Sequence, residues 1–99
     1  MKVILKKSTN KTKKYMIEWI EGGKKKTTHF GAAGYEDFIL TRGNEEKKRA
    51  YLARHSVNED WTDWRKAGTL SRYILWNKPN LKDSIKDLES KFKLDVILV

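Results

Sequence analysis

A chain of 99 residues with 22 Lys/Arg against 13 Asp/Glu, a net charge of +9, makes one small domain spanning 1–99 and points to a polyanionic partner. It has no cysteine, which excludes a disulfide scaffold, a thiolate nucleophile and any Cys-bearing zinc site; with two histidines, neither a metal nor a cofactor is expected. The first apolar run, Val3-Ile4-Leu5, is far short of a secretory signal's core, and no segment approaches the roughly 20 apolar residues of a membrane span, so neither secretion nor a membrane partner is expected.

Val3 to Leu5 opens a short strand, followed by a polar stretch from Ser8 to Lys14. Tyr15 to Ile20 is rich in β-formers, with Tyr15, Ile17 and Trp19 on one face. Gly22-Gly23 marks a tight turn, and Lys26 to Phe30 returns antiparallel, which sets Phe30 near Tyr15 and Thr28 near Ile17. Glu18, Thr27 and His29 then point the other way. Phe38 to Thr41 has the composition of a fourth short strand.

Asn44 has the chemistry of a helix cap, with Glu45 and Glu46 in the first turn and Arg54 and His55 in the last, where the helix dipole favours each sign. This helix, Glu45 to His55, carries Tyr51 and Leu52 inward. Asp60 to Trp64 reads as a short helix or a tight loop. Leu70, Tyr73, Ile74 and Trp76 mark a second helix stopped by Pro79. Asn80 caps a third, with Asp83 three residues on and a stripe of Leu81, Ile85, Leu88 and Phe92. The apolar end, Val96 to Val99, must pair with the sheet's own edge or with another subunit.

The expected fold is therefore α+β, a small antiparallel sheet of N-terminal meander plus C-terminal strand, packed with two or three helices. Residues 1–41 are mainly strand, 44–92 mainly helix and 94–99 strand. Eleven aromatic residues compensate for a low aliphatic content, which favours placing Trp61, Trp64 and Trp76 inside; the alternative stacks Trp61 or Trp64 against an unpaired base. A homodimer is expected, because an isologous contact would cover the last strand and some of the tryptophans.

The ordered set "HFGAAGYEDF", "KKRAYLARHSVNEDW" and "AGTLSRYILWNKPNLKDSI", from about Thr28 to Ile85, resembles a family of small basic proteins of nucleocytoplasmic large DNA viruses, among them marseillevirus-, mimivirus- and algal-virus-like ones. The chain departs from it at Thr69-Leu70, where the family tends to have an aromatic soon after the Ala-Gly. The resemblance implies a viral source, and with it the virion, the viral factory or the host nucleus or cytoplasm. It implies no activity, since the family's function is unknown.

A catalytic reading of "HFGAAGYEDF" makes His29 a base or ligand oriented by Asp37 or Glu36, with His55 and Asp60 completing a two-histidine metal or nuclease site. The spacing matches no metal signature, nucleophile elbow or phosphate loop. A structural reading uses more of the residues: Phe30 packs beside Tyr15, Gly31 and Gly34 supply special backbone conformations, and Tyr35 and Phe38 seat the turn on the core, while Asp37 bonds loop amides or Arg42. On that reading His29 is a half-buried strand histidine.

The charge is asymmetric. Residues 1–54 hold 14 Lys/Arg against 6 Asp/Glu, residues 55–99 hold 8 against 7. The expected binding residues are Lys6, Lys7, Lys11, Lys13, Lys14, Lys24, Lys25 and Lys26 in the meander and Lys47, Lys48, Arg49 and Arg54 in the first helix, forming one basic face if sheet and helix are neighbours. Lysine outnumbers arginine 17 to 5, which favours phosphate contact over bidentate base reading. The function expected is non-enzymatic binding of nucleic acid, duplex DNA foremost, through the backbone without base specificity, and with no small-molecule substrate. The alternatives are a structural or protein-interaction virion module and a metal-dependent nuclease using His29, Asp37 and His55.

Overall fold

The computed structural model describes all residues from Met1 to Val99. Three strands, β1 (Lys2–Lys7), β2 (Lys13–Glu21) and β3 (Lys24–Ala32), form the meander. Gly22 and Gly23 have φ of 60° and 77°, the pair of positive values that lets a two-residue hairpin follow the strands' own twist. That turn sets the register: Tyr15 lies opposite Phe30, Ile17 opposite Thr28 and Glu18 opposite Thr27, as the sequence predicts.

After the meander come α1 (Glu45–His55), α2 (Ala67–Leu70), which runs on as a π-helical turn (Ser71–Leu75), α3 (Leu81–Phe92) and β4 (Asp95–Leu98). The Asn44 carboxamide accepts the Lys47 amide hydrogen bond and Asn80 that of Asp83, closing the two predicted N-caps. The Asn80 side chain also donates to the Asp83 carboxylate. α3 buries Ile85 and Leu88, and half-buried Leu81 and Phe92 extend the stripe. The helical segment carrying the second apolar pattern is continuous from Ala67 to Leu75, but at Ser71 its bonding changes: the Trp76 amide reaches back five residues to the Ser71 carbonyl, at 3.0 Å.

The fold is α+β, with one four-stranded sheet in the order β3-β2-β1-β4. The sheet is mixed. β4 lies parallel to β1, Val3 beside Val96 and Leu5 beside Leu98, because the chain returns to the sheet through the long helical crossover and not a hairpin. The last strand thus pairs with the chain's own sheet. Its outward Val96 amide is closed by the Glu89 carboxylate of α3, at 2.9 Å.

One sheet face carries the core. Val3, Leu5, Ile17 and Phe30 have no solvent exposure and pack under Leu70, Ile74 and Leu88. Trp19, Trp64 and Trp76 are buried, Trp19 and Trp64 edge to face at 4.9 Å, while Trp61 is only half-buried. The other face holds Ile4, Glu18, Ile20 and Thr27 with no helix over it.

Two local expectations differ from the structure. Phe38 to Thr41 is a turn and not a strand: the Asp37 carboxylate accepts the Leu40 amide, Thr41 and Gly43 amides bond back to Asp37 and Phe38, and Arg42 has φ of 55°. Tyr35 does not seat the loop on the core. It is 72% exposed, whereas Phe38 is buried.

Candidate nucleic-acid interface

Five of the twelve nominated cations already have partners inside the chain. Lys6 and Lys25 grip Glu18 from both sides on the open sheet face, at 2.8 and 3.0 Å. Lys14 is paired with Asp37 at 2.6 Å, with side-chain exposures of 15% and 4%, and also donates to the Tyr35 carbonyl. Lys47 is paired with Glu36. Lys48 donates to the Asn77 carbonyl and sits 4.9 Å from the centre of the Phe38 ring, and burial, with Arg72 nearby, lowers its pKa.

The remaining seven do not form the single face expected. Lys24 and Lys26 stand by the hairpin tip and Lys13 at the opposite end of β2, about 26 Å away for a strand of this length. α1 does not lie on the sheet; its one buried residue, Tyr51, stacks on Trp76 at 4.5 Å and 9°. That places Arg54 beside the Lys13 end, where both line one cleft.

The cleft, about 360 Å³, lies between the end of β2 and β3, the loop 31–38, α1 and the π-helical turn. Its floor includes Leu75 and Trp76, and Tyr51 is sandwiched between Trp76 and the His55 ring, the latter at 4.2 Å. Burial pushes the Tyr51 phenol up to about 12, with Glu59 adding to it, so it stays neutral as a wall of the cleft. Glu36, Asp37 and Glu59 also line it, and each is engaged: with Lys47, with Lys14, and with His55 and Trp61. Lys13 and Arg54 form no ion pair. A second groove of about 240 Å³ shares Lys14, Asp37 and Leu75 with the cleft and adds Lys7 and the exposed Leu40.

The Lys14–Asp37 pair therefore forms the partition between two grooves, with free cations Lys7, Lys13 and Arg54 around it. The loop "GAAGYEDF" is held in place by two backbone bonds, from the Phe38 amide to the Leu75 carbonyl at 2.9 Å and from the Ala33 amide to the Thr12 carbonyl, and by Lys14, which reaches both the Tyr35 carbonyl and Asp37. Tyr35 is the residue that sequence reasoning missed. The signal for it is its place after Gly34, with φ of 85°, at the tip of the loop between two ordered elements.

The nuclease constellation does not assemble. His29 faces the open side of the sheet and shares a 2.7 Å hydrogen bond with Ser8, Asp37 is saturated by Lys14 and the Leu40 amide, and His55 stacks on Tyr51. No three His, Asp or Glu side chains come together as metal ligands do. No helix is long and apolar enough to cross a membrane.

The Glu18 clamp gives a test that does not depend on function. Hydrogen bonds from Lys6 and then Lys25 hold the Glu18 carboxyl below the usual range. Stability from this pairing is therefore present above the unfolded carboxyl's pKa and is lost as pH falls through the lower folded value. In a Lys6→Met/Lys25→Met variant the Glu18 titration, followed by carboxyl NMR shifts, is expected to move up; an unchanged titration would rule out the clamp as its cause.

Fold and site together define a small two-layer α+β protein with a helix-covered face, an open face and a cation-rimmed cleft at one end of its sheet. The chain belongs to a family of unknown function, DUF5754, whose family model matches residues 3–55, from β1 to the end of α1. No curated protein and no solved structure matches the chain.

Proposed function

We propose that the protein is a non-enzymatic nucleic-acid-binding protein of large DNA viruses, which contacts the sugar-phosphate backbone without reading bases. The observation that carries this reading is the grouping of Lys7, Lys13 and Arg54, all without acidic partners, around two adjoining grooves at one end of the molecule. Lys11, exposed in the β1–β2 turn, extends the same rim. Lysine-rich point charges of this kind neutralise phosphates and release counterions, which gives affinity without sequence preference. The motif resemblance supports a viral source and, with it, action in the virion, the viral factory or the host nucleus or cytoplasm.

Amide shift mapping with a mixed-sequence oligonucleotide, as duplex and as single strand, tests the location. Perturbations are expected at residues 7–14, 31–40 and 54, with Gly22 to Lys26 unaffected. Shifts centred on the hairpin tip would move the interface to the other end of the sheet, and none at all would remove the reading.

A second reading, a protein-docking module in a virion, is favoured by the apolar surface the sheet leaves uncovered. On the open face Ile20 is 63% exposed, and Ile97 of β4, beside Ile4, is 37% exposed. A homodimer is one arrangement that would cover them. Self-association that survives high salt while nucleic acid has no effect on the protein would favour this reading.

A further inference from the structure

We infer that the cleft takes one unstacked nucleotide of a single strand, base inward, with the flanking phosphates on Lys13 and Arg54. This rests on the nucleic-acid reading and narrows it from backbone contact in general to single-stranded nucleic acid.

Three features carry the inference. The first is Tyr35, a residue 72% exposed whose ring packs on no other ring. Its backbone is nonetheless held, its amide donating to the Ala32 carbonyl and its carbonyl accepting from Lys14 Nζ. A fixed backbone presenting a free aromatic ring is a stacking platform, and stacking tolerates any base because every base has a π-face.

The second is the placement of charge. Asp37, with 4% side-chain exposure, is closed in its pair with Lys14, and the Tyr51 phenol stays neutral, so the buried lining offers a phosphate no free cation while a neutral base meets Tyr51 and Trp76. The unpaired cations Lys13 and Arg54 also line it, and can hold phosphates on either side of a base that enters. The third is size: about 360 Å³ falls at the lower end of the 300–1,000 Å³ typical of small-molecule sites. Bases in a duplex are stacked away from such a ring and reach it only at the cost of unstacking and unpairing.

The test is fluorescence anisotropy with a labelled 12-nucleotide mixed-sequence single strand and the duplex of the same sequence, using the full chain. Tyr35→Ala keeps both backbone bonds, so the fold should be retained. The single strand is expected to bind more tightly than the duplex at equal salt. Tyr35→Ala should weaken single-strand binding by roughly fivefold or more with an unchanged salt slope, and Tyr35→Phe should restore it. If Tyr35→Ala has no effect and duplex binds as well, while Lys13→Gln/Arg54→Gln weakens both, the inference is overturned and backbone binding stands. Absence of binding to either form overturns both.

Discussion

Replacing Lys14 by methionine is expected to destabilise the protein by about 3–5 kcal/mol, the range for removing one partner of a buried ion pair. The Asp37 carboxylate would remain with 4% side-chain exposure and only the Leu40 amide to satisfy it. For a domain whose total stability is of order 5–15 kcal/mol, that is a large fraction. Methionine keeps the length of the stem, so the lost charge and not a cavity dominates. Urea denaturation of Lys14→Met, Asp37→Asn and the double variant separates the two. Asparagine keeps the acceptor for Leu40, so the double variant is expected to recover more than half of the loss. If the double variant is as unstable as the sum of the singles, the pair does not act as a unit.

The second large effect is expected at Gly31. Its φ is 80°, where an L side chain is strained, and a Cβ there would stand 2.6 Å from the Leu75 methyl and 3.3 Å from Lys14 Cβ. Strain of the backbone and overpacking together put Gly31→Ala at about 2–4 kcal/mol. Gly34 provides the control. Its φ is 85° but a Cβ would meet nothing within 4 Å, so Gly34→Ala should cost only about 1–2 kcal/mol. The difference between the two, read from thermal or urea unfolding, isolates the contact with the π-helical turn. Equal losses would mean that only backbone conformation matters.

These two residues also explain the stretch "HFGAAGYEDF". It is a hinge, in which Phe30 fills the core, Gly31 admits Leu75 and Asp37 locks onto Lys14, and it ends by presenting Tyr35 to solvent. The register places Phe30 against Tyr15 and the glycine chemistry anticipates Gly31, but the cation expected for Asp37 is Arg42 and the one found is Lys14. Tyr35 escaped because an aromatic between Gly34 and Glu36 has the composition of a packed turn, whereas the whole tip from Ala32 to Glu36 is exposed.

What the sequence conveyed best was local. The Gly-Gly turn set the pairing of β2 with β3, Asn44 and His55 bounded α1, and the spacing of Leu81 to Phe92 defined α3. What it conveyed poorly depends on residues far apart in the chain. Lys14 and Asp37 are 23 positions apart, and Glu18 is claimed by lysines from both neighbouring strands, so the fate of each lysine could not be read from its run. The parallel docking of β4 on β1 and the switch to π-helical bonding at Ser71 are likewise products of packing. The candidate site shrank accordingly, from twelve cations across the N-terminal half to the few around the cleft.

The central claim is that these few unpaired cations neutralise phosphates. Its most direct test is the salt dependence of affinity for a labelled mixed-sequence oligonucleotide, measured for the wild type and for Lys13→Gln/Arg54→Gln. With Lys7, Lys11, Lys13 and Arg54 engaged, log affinity should fall against log salt with a slope of about −3, and the double variant should be shallower by about 1.5. Weak binding with no salt dependence, or a slope the double variant leaves unchanged, would contradict the assignment and leave the charge to serve solubility or protein docking.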